Sequence, residues 1–330
     1  MDLFAPGSAG AALAERLQAL GVRAGDPLVV AFSGGADSLG LLALLARLPA
    51  ERRPALEAIH VDHGLRPDSA AAAARALEAA GRLGVPARCV RVEVRGRGGL
   101  EAAARTARYR ALAREAAGRP IATAHTLDDQ AETVLLRLVR GAGLRGVSGM
   151  RARARIAGAQ ILRPLLGVRR AALHRVVRAL ELPVVEDPSN ADRRFARNRL
   201  RAEVIPPLER LAPGAIPAIA RFAELAAADE RYLARRAERL VGGEAAVPVA
   251  RLLAMPLALR RRVVRERIER AGGRPPAAVR VQEVLRLLAR GRDGELHLPG
   301  GVLVSVRAGL FSAAPGPTGQ AGRHLRRRRR

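Results

Sequence analysis

Lysine is absent from all 330 residues, so every one of the 58 basic side chains is an arginine. A phosphate loop of the Gly-Lys-Ser/Thr kind, whose ammonium reaches the nucleotide phosphates, is therefore excluded. Tryptophan is absent as well, and aromatic residues make up 2% of the chain. That argues against the aromatic platforms that hold single-stranded nucleic acid, and leaves any base stacking to arginine. The single cysteine, Cys89, cannot form an internal disulfide, and the strand-like run Ala87-Arg88-Cys89-Val90-Arg91-Val92 predicts a buried structural thiol. No uncharged apolar run reaches the roughly 18 residues of a membrane-spanning helix, and the first residues lack the basic region and apolar core of a secretory signal. The expectation is a soluble, cytoplasmic protein that does not engage a membrane.

Acidic residues are scarce too, 31 against 58 arginines, which leaves a net charge of +27. Arginine and alanine bias from a GC-rich genome explains arginine in place of lysine, but not the excess of base over acid. A field of this sign attracts polyanions, nucleic acid first among them. A length of 330 residues with 49% hydrophobic content suits two globular domains, each with its own core.

The chain is organised around Leu28-Val29-Val30-Ala31-Phe32-Ser33-Gly34-Gly35-Ala36-Asp37-Ser38 and the apolar run Leu39-Gly40-Leu41-Leu42-Ala43-Leu44-Leu45. This reads as buried strand, tight turn and buried helix. Gly34 and Gly35 let the backbone approach an anion, the helix behind them presents unpaired N–H groups, and Ser33 and Ser38 add hydroxyl donors. Asp37 is an unexpected charge beside a triphosphate. It makes sense as a ligand of Mg²⁺, which lowers the repulsion between acid and phosphate. Ser33, Gly34, Gly35, Ala36, Asp37 and Ser38 are thus the candidate ATP loop. The pattern Ser-Gly-Gly-x-Asp-Ser after a strand resembles the pyrophosphatase-loop superfamily, whose members cleave ATP between the α and β phosphates and activate a substrate by adenylation.

A helix over 8–20 ends at Gly21, and strands at 56–62, 86–93 and 121–124 alternate with helices at 68–83, 100–117 and 127–139. Such alternation predicts an α/β fold with a doubly wound parallel sheet, in which ligands collect beyond the carboxyl ends of the strands. Ser33, the run His60-Val61-Asp62-His63 and His125 all fall at such ends and should share one crevice. The histidines line a nucleotide pocket or satisfy strand ends; with no second thiol, a transition-metal site is the weaker reading.

The run His125-Thr126-Leu127-Asp128-Asp129-Gln130-Ala131-Glu132-Thr133 opens the last of these helices, with Asp129 and Glu132 on one face. Paired carboxylates there bind Mg²⁺ or grip a cationic substrate, and Thr126 with Asp129 also suits a capping box. A Gly- and Arg-rich loop follows from 137 to 150, containing Arg140 and Arg145. Ordered structure resumes at Ile161, and a helix at 168–181 leads to the turn Glu186-Asp187-Pro188-Ser189-Asn190. Arg193 to Arg201 then begins a helix expected to end before Pro206-Pro207.

Five motifs stand here in the order found in the tRNA(Ile)-lysidine synthetases: Ser33–Ser38, Asp128-Asp129-Gln130-x-Glu132-Thr133, Arg140-Gly141-x-Gly143, Glu186–Asn190, and Arg197-Asn198-x-x-Arg201. The resemblance covers about residues 25–210, and it departs at Thr126, where the family usually has a second histidine. It implies an adenine-nucleotide hydrolase-like catalytic domain over 1–208, a mainly helical tRNA-binding domain over 209–315 and a disordered Arg-rich tail over 316–330. In the second domain, long helices are expected at 217–240, 249–271 and 278–290, with a hairpin around Pro299-Gly300-Gly301. The additional C-terminal domain of longer members is not expected.

The activity so implied joins lysine to C2 of the wobble cytidine in the CAU anticodon of isoleucine tRNA, with ATP and Mg²⁺ as cofactors. Asp37, Asp129, Glu132 and Arg201 are the implied catalytic residues, with Asp129 and Glu132 gripping free L-lysine. Arg140, Arg145, Arg197, Asn198 and Arg201 would contact tRNA or phosphate. Whether the chain forms a homodimer stays open. Two rivals remain: a tRNA thiolase, disfavoured by the lone Cys89, and a non-catalytic, ATP-regulated RNA-binding protein.

Overall fold

The computed structural model describes residues 3–5, 7–64, 67–94, 100–186, 192–272 and 275–316. The chain divides into two units, one of Met1–Arg140 with Gly149–Ala223, the other of Gly141–Ser148 with Glu224–Arg330. The first is built on a six-stranded sheet: β1 (Pro27–Ala31), β2 (Ala55–Asp62), β3 (Ala87–Arg91), β4 (Ile121–Ala122), β5 (Arg153–Ile156) and β6 (Ala159–Leu162). The strand order is β3-β2-β1-β4-β6-β5, with all pairings parallel except that of β5 on β6. β1 runs leftward to β2 and β3 and rightward to β4, so the winding reverses between β1 and β4. A crevice opens at that point beyond the strand ends, because the following helices go to opposite faces.

Both faces of β1 are buried, as the unbroken apolar run requires. Leu28 and Val30 join a core under α1 (Ala9–Ala19), α2 (Ala36–Ala46) and α3 (Ser69–Arg82). Val29 points the other way, to Leu112 of α4 (Leu100–Ala116), Ile121 and Ile161. All eight residues from Ser38 to Leu45 of α2 are buried, so this helix is enclosed on every side rather than along one stripe. α5 (Leu127–Val139) follows β4, α6 (Leu144–Val147) belongs to the second unit, and α7 (Arg170–Ala179) packs on α2. A Cβ at Gly40 would lie 3.0 Å from that of Leu173, and this close approach sets α2 against α7.

The helix expected to stop before Pro206 continues through it. α8 (Ala196–Arg199) passes into a π-helical turn over Leu200–Val204 and then α9 (Ile205–Leu211), with Pro206 and Pro207 in its first turn. α10 (Ala215–Val241) carries the unit boundary at Ala223.

In the second unit β7 (Ala246–Pro248), α11 (Val249–Ala254), α12 (Leu257–Gly272) and α13 (Ala278–Ala289) precede β8 (Gly294–Leu298), β9 (Val302–Arg307) and β10 (Leu310–Pro315). The strands form an antiparallel sheet in the order β7-β10-β9-β8, and Leu252, Val264, Val284, Val304 and Phe311 fill the core between it and the helices. The single helix expected over 249–271 is broken at Met255-Pro256, since proline lacks the N–H and drives the residue before it out of helical conformation. β7 and β10 go beyond the single hairpin expected here. Of the Arg-rich tail, all residues after Gly316 lie outside the described ones.

Candidate active site

Between β1 and α2 the chain turns through Gly34 at φ +78°, where a Cβ would meet Val185 and Ala76 at 2.8 and 2.9 Å. Only glycine fits. The Ser33 and Ser38 hydroxyls lie 3.1 Å apart; Ser38 also accepts from the Ser33 N–H and donates to the Gly35 carbonyl. Gly35 is the N-cap of α2 and has no side chain to satisfy the first N–H groups of the helix. The loop therefore offers a rigid ring of hydroxyls and a bare helix N-terminus to an anion.

Asp37 sits in the first turn of α2, one turn before Gly40, and so shares the helix face pressed on α7. On α7 the facing residues are Arg170, Leu173 and His174, at i, i+3 and i+4. The fit at Gly40 thus delivers two cationic or polar side chains to Asp37: Arg170 Nε donates to Oδ2 at 3.0 Å, and His174 Nε2 lies 3.1 Å from Oδ1. The same guanidinium reaches α5, donating through Nη2 to Asp129 Oδ1 at 2.8 Å and through Nη1 to Glu132 Oε1 at 3.1 Å. One side chain from α7 ties the phosphate loop to the acidic helix.

Thr126 caps α5 in a full capping box. Its hydroxyl accepts from the Asp129 N–H, while Asp129 Oδ2 accepts from the Thr126 N–H and hydroxyl at 2.9 Å. Glu132 has no exposed side-chain surface. Arg201 grips it with Nε at 2.7 Å and Nη2 at 2.9 Å, and Arg197 lies 3.1 Å from Oε2 and donates to Thr133 Oγ1. Arg201 belongs to the π-helical turn, the kind of insertion that re-aims side chains at working sites. Burial pushes the Asp129 carboxyl upward, but Arg170, the Thr126 N–H and Arg197 outweigh it and hold Asp129 below the usual carboxylate range. Burial works equally against the charge of Arg170; Asp129, Asp37 and Glu132 overcome it and raise its pKa above the ordinary guanidinium value.

The phosphate loop borders a cleft of about 640 Å³, lined further by His60, His63, Arg108, Tyr109 and His125. His125 Nδ1 lies 2.9 Å from Thr123 Oγ1, and burial together with the nearby Arg163 pushes the imidazole down to about 3. Burial lowers His60 as well, and lowers His63 with help from Arg108. All three are neutral near pH 7. The Nδ1 atoms of His60 and His63 are buried without a hydrogen-bond partner among the described residues.

Residues 11–208 match the PP-loop domain, and residues 248–311 match the TilS substrate binding domain. The tRNA(Ile)-lysidine synthase of Salinispora tropica is 44% identical over 300 residues, spanning 87% of this chain and 90% of that protein. That of Mycolicibacterium paratuberculosis is 50% identical over 241 residues, 72% of each chain. This chain belongs to the tRNA(Ile)-lysidine synthase family. The Thermus thermophilus member, 45% identical over 93% of this chain, is longer, and only 60% of it is matched. Among solved structures, the U34-tRNA thiolase NcsA of Methanococcus maripaludis superimposes with a TM-score of 0.55 at 18% identity, covering 66% of this chain and 77% of its own. That likeness concerns the fold alone.

Within this lysidine synthase family chain, the loop Ser33–Ser38 and the residues Asp129, Glu132, Arg197 and Arg201 converge on Arg170 or on each other. The remaining candidates stand apart from that cluster. Arg140 is exposed at the C-cap of α5, Arg145 pairs through both Nη atoms with Glu269 of α12, and Asn198 Nδ2 donates to the Asp192 carbonyl at 2.9 Å. Asp187 to Asn190 lie outside the described residues. The expected buried thiol is corrected: Cys89 is exposed, because β3 is the edge strand of the sheet. The sequence reading missed Arg170 and His174. Their only signal was position, one helical turn apart at the start of a helix rich in arginine. Among the described residues no single helix is long and apolar enough to cross a membrane.

Proposed function

We propose that this chain converts the wobble cytidine of the CAU anticodon in isoleucine tRNA to lysidine, using ATP and free L-lysine in the compartment that holds tRNA. The family membership supports lysidine formation on tRNA(Ile), and the PP-loop domain supports ATP as the energy source. The observation that carries the arrangement of the steps is the Arg170 guanidinium, which brings the ATP-loop acid Asp37 and the acidic pair Asp129 and Glu132 onto a single group.

ATP would lie with its phosphates on Ser33–Ser38, the α2 N–H groups and the serine hydroxyls meeting the charge that develops at the α-phosphorus. The cytosine O2 attacks that phosphorus and pyrophosphate leaves. The ε-amine of lysine then attacks C2, and AMP departs with the oxygen. Neutral His60 and His63 would offer hydrogen bonds to the nucleoside without adding charge. Asp129 and Glu132 form the anionic end of the amine site, Glu132 acting through the arginines that hold it. Arg197 and Arg201 orient that pair, and Arg140 and Arg145 meet tRNA phosphates.

Mg²⁺ fits the donor set in one respect: Asp37 is a hard oxygen ligand beside the phosphates, and this ion is typically held by one or two carboxylates plus phosphate oxygens and water. Among the described residues no three acidic, histidine or cysteine side chains are grouped so that they could hold a metal ion, so Asp37 would be its main protein ligand. When bound, the ion neutralises charge on the departing pyrophosphate.

Incubation of the protein with ATP, labelled lysine and isoleucine tRNA transcripts tests the reading. Incorporation should require ATP and the anticodon cytidine, and label transferred equally to a transcript with uridine at that position would refute it.

A further inference from the structure

We infer that Arg170 makes lysine binding conditional on the nucleotide, holding Asp129 and Glu132 closed to an amine until bound phosphates offer its guanidinium other acceptors. The inference rests on the placement of the amine site at Asp129 and Glu132. It follows from charge and from donor counting. Asp37, Asp129 and Glu132 supply three negative charges, and Arg170, Arg197 and Arg201 supply three positive ones. The cluster is balanced as it stands. Both oxygens of Glu132 are taken by arginines, Asp129 Oδ1 is taken by Arg170, and its Oδ2 is committed to the capping box of α5.

An ammonium brings three donors and no acceptor, so it needs free carboxylate lone pairs. Adding a fourth cation to a largely buried, neutral set is unfavourable unless negative charge arrives with it or one cation withdraws. A triphosphate at Ser33–Ser38 meets that need. Asp37 sits in the first turn of α2, directly after the loop, and Arg170 Nε already lies 3.0 Å from it. Phosphate oxygens there compete for the guanidinium, while His174 remains on Asp37 Oδ1 at 3.1 Å. Arg170 is suited to this because its side chain is 16% exposed and reaches all three acids from a separate helix. Arg197 and Arg201 have no contact with Asp37 among the described residues and so cannot report on the nucleotide.

Equilibrium binding of labelled L-lysine to the full-length chain, with and without α,β-methylene ATP and Mg²⁺, tests this. Lysine affinity should rise about tenfold with the nucleotide analogue, and by linkage the analogue should bind tighter in lysine by the same factor. In Arg170→Ala the two lysine affinities should converge to within twofold, and Arg170→Lys, which keeps the charge, should restore part of the difference. Equal lysine affinity in the two states of the wild type overturns the inference. So does an Arg170→Ala protein in which both affinities fall together with their ratio intact, the result of a merely structural role. If Arg170→Ala does not fold, Arg170→Lys decides: the difference between the two lysine affinities should be smaller than in the wild type, and an unchanged difference overturns the inference. Asp129→Asn separates the two levels: it should abolish lysine binding with the analogue present, and unchanged binding would show that the amine site lies elsewhere.

Discussion

The two ends of the cluster that Arg170 ties together, the phosphate loop and α5, are prepared in opposite ways. At the phosphate loop, glycine backbone and a bare helix N-terminus leave donors open, and the serine hydroxyls bond only within their own turn among the described residues. At α5, every carboxylate oxygen of Asp129 and Glu132 already has a partner. The anion site is vacant of internal competitors and the cation site is filled with them. An open site spends no stability on its ligand's behalf, whereas a filled one holds the fold together and must be opened. Substitutions at the two ends should therefore fail differently.

The largest effect is expected at the filled end. Glu132→Gln leaves Arg170, Arg197 and Arg201 around a neutral amide, and removing one partner of a buried ion pair costs about 3–5 kcal/mol. Urea unfolding should show that loss, together with a raised KM for lysine and little change in ATP affinity. Unchanged lysine saturation would take Glu132 out of the amine site. Next comes Asp37→Ala at the junction of the two ends. Pyrophosphate release should drop by about 10²–10³-fold, the cost of losing one well-placed electrostatic group, while tRNA affinity is kept. A protein that released no pyrophosphate in either form would be a plain RNA binder. At the open end, Gly34→Ala forces a side chain into a left-handed conformation at about 1–2 kcal/mol and pushes on Val185 and Ala76. Weaker ATP binding should accompany it, with lysine binding in the analogue-saturated state unchanged.

Acid should expose a further contrast. His125 is held down to about 3 in the folded chain against 6.5 for the free group. Between those values the unfolded chain binds more protons, so this contribution is complete above pH 6.5 and shrinks as pH falls toward 3. Burial of His60 and His63 acts in the same direction. Denaturant midpoints should decline from pH 7 to pH 5, and His125→Asn should flatten part of that decline. A midpoint that rises on acidification would contradict the neutral, buried state of these rings.

The open end was legible in the sequence because its chemistry is local. A strand, a Ser-Gly-Gly-x-Asp-Ser turn and a fully apolar helix are consecutive, and each residue's role follows from its neighbours. The capping box at Thr126 and Asp129 was legible for the same reason. The filled end was only half legible. Asp129 and Glu132 announce themselves by spacing, but which of the arginines in α7 and after Arg193 turn inward depends on tertiary facts: the approach of Gly40 to Leu173, and a π-helical turn at Leu200–Val204. In a chain whose basic residues are all arginine, Arg170 looks like its neighbours Arg169, Arg175 and Arg178. β5 escaped for a related reason, as its alternation of arginine with alanine and isoleucine is that of a half-exposed edge strand with little apolar signal.

The smallest expected effects lie in the arginines assigned to tRNA, and they repeat the contrast of open against filled. Arg140 is exposed at the end of α5 with no ion pair among the described residues, whereas Arg145 is held by Glu269 through two hydrogen bonds. A phosphate contact at Arg140 releases a counterion without first breaking anything. One at Arg145 must displace a carboxylate, so part of its gain is cancelled and Glu269 is left to repel the backbone. In salt titrations of tRNA binding, Arg140→Gln should reduce the log–log slope by about 0.7–0.9, the contribution of one phosphate. Arg145→Gln should change it by less. A larger change at Arg145 would mean that its pair with Glu269 opens in the complex, and would move Arg145 from the filled class to the open one.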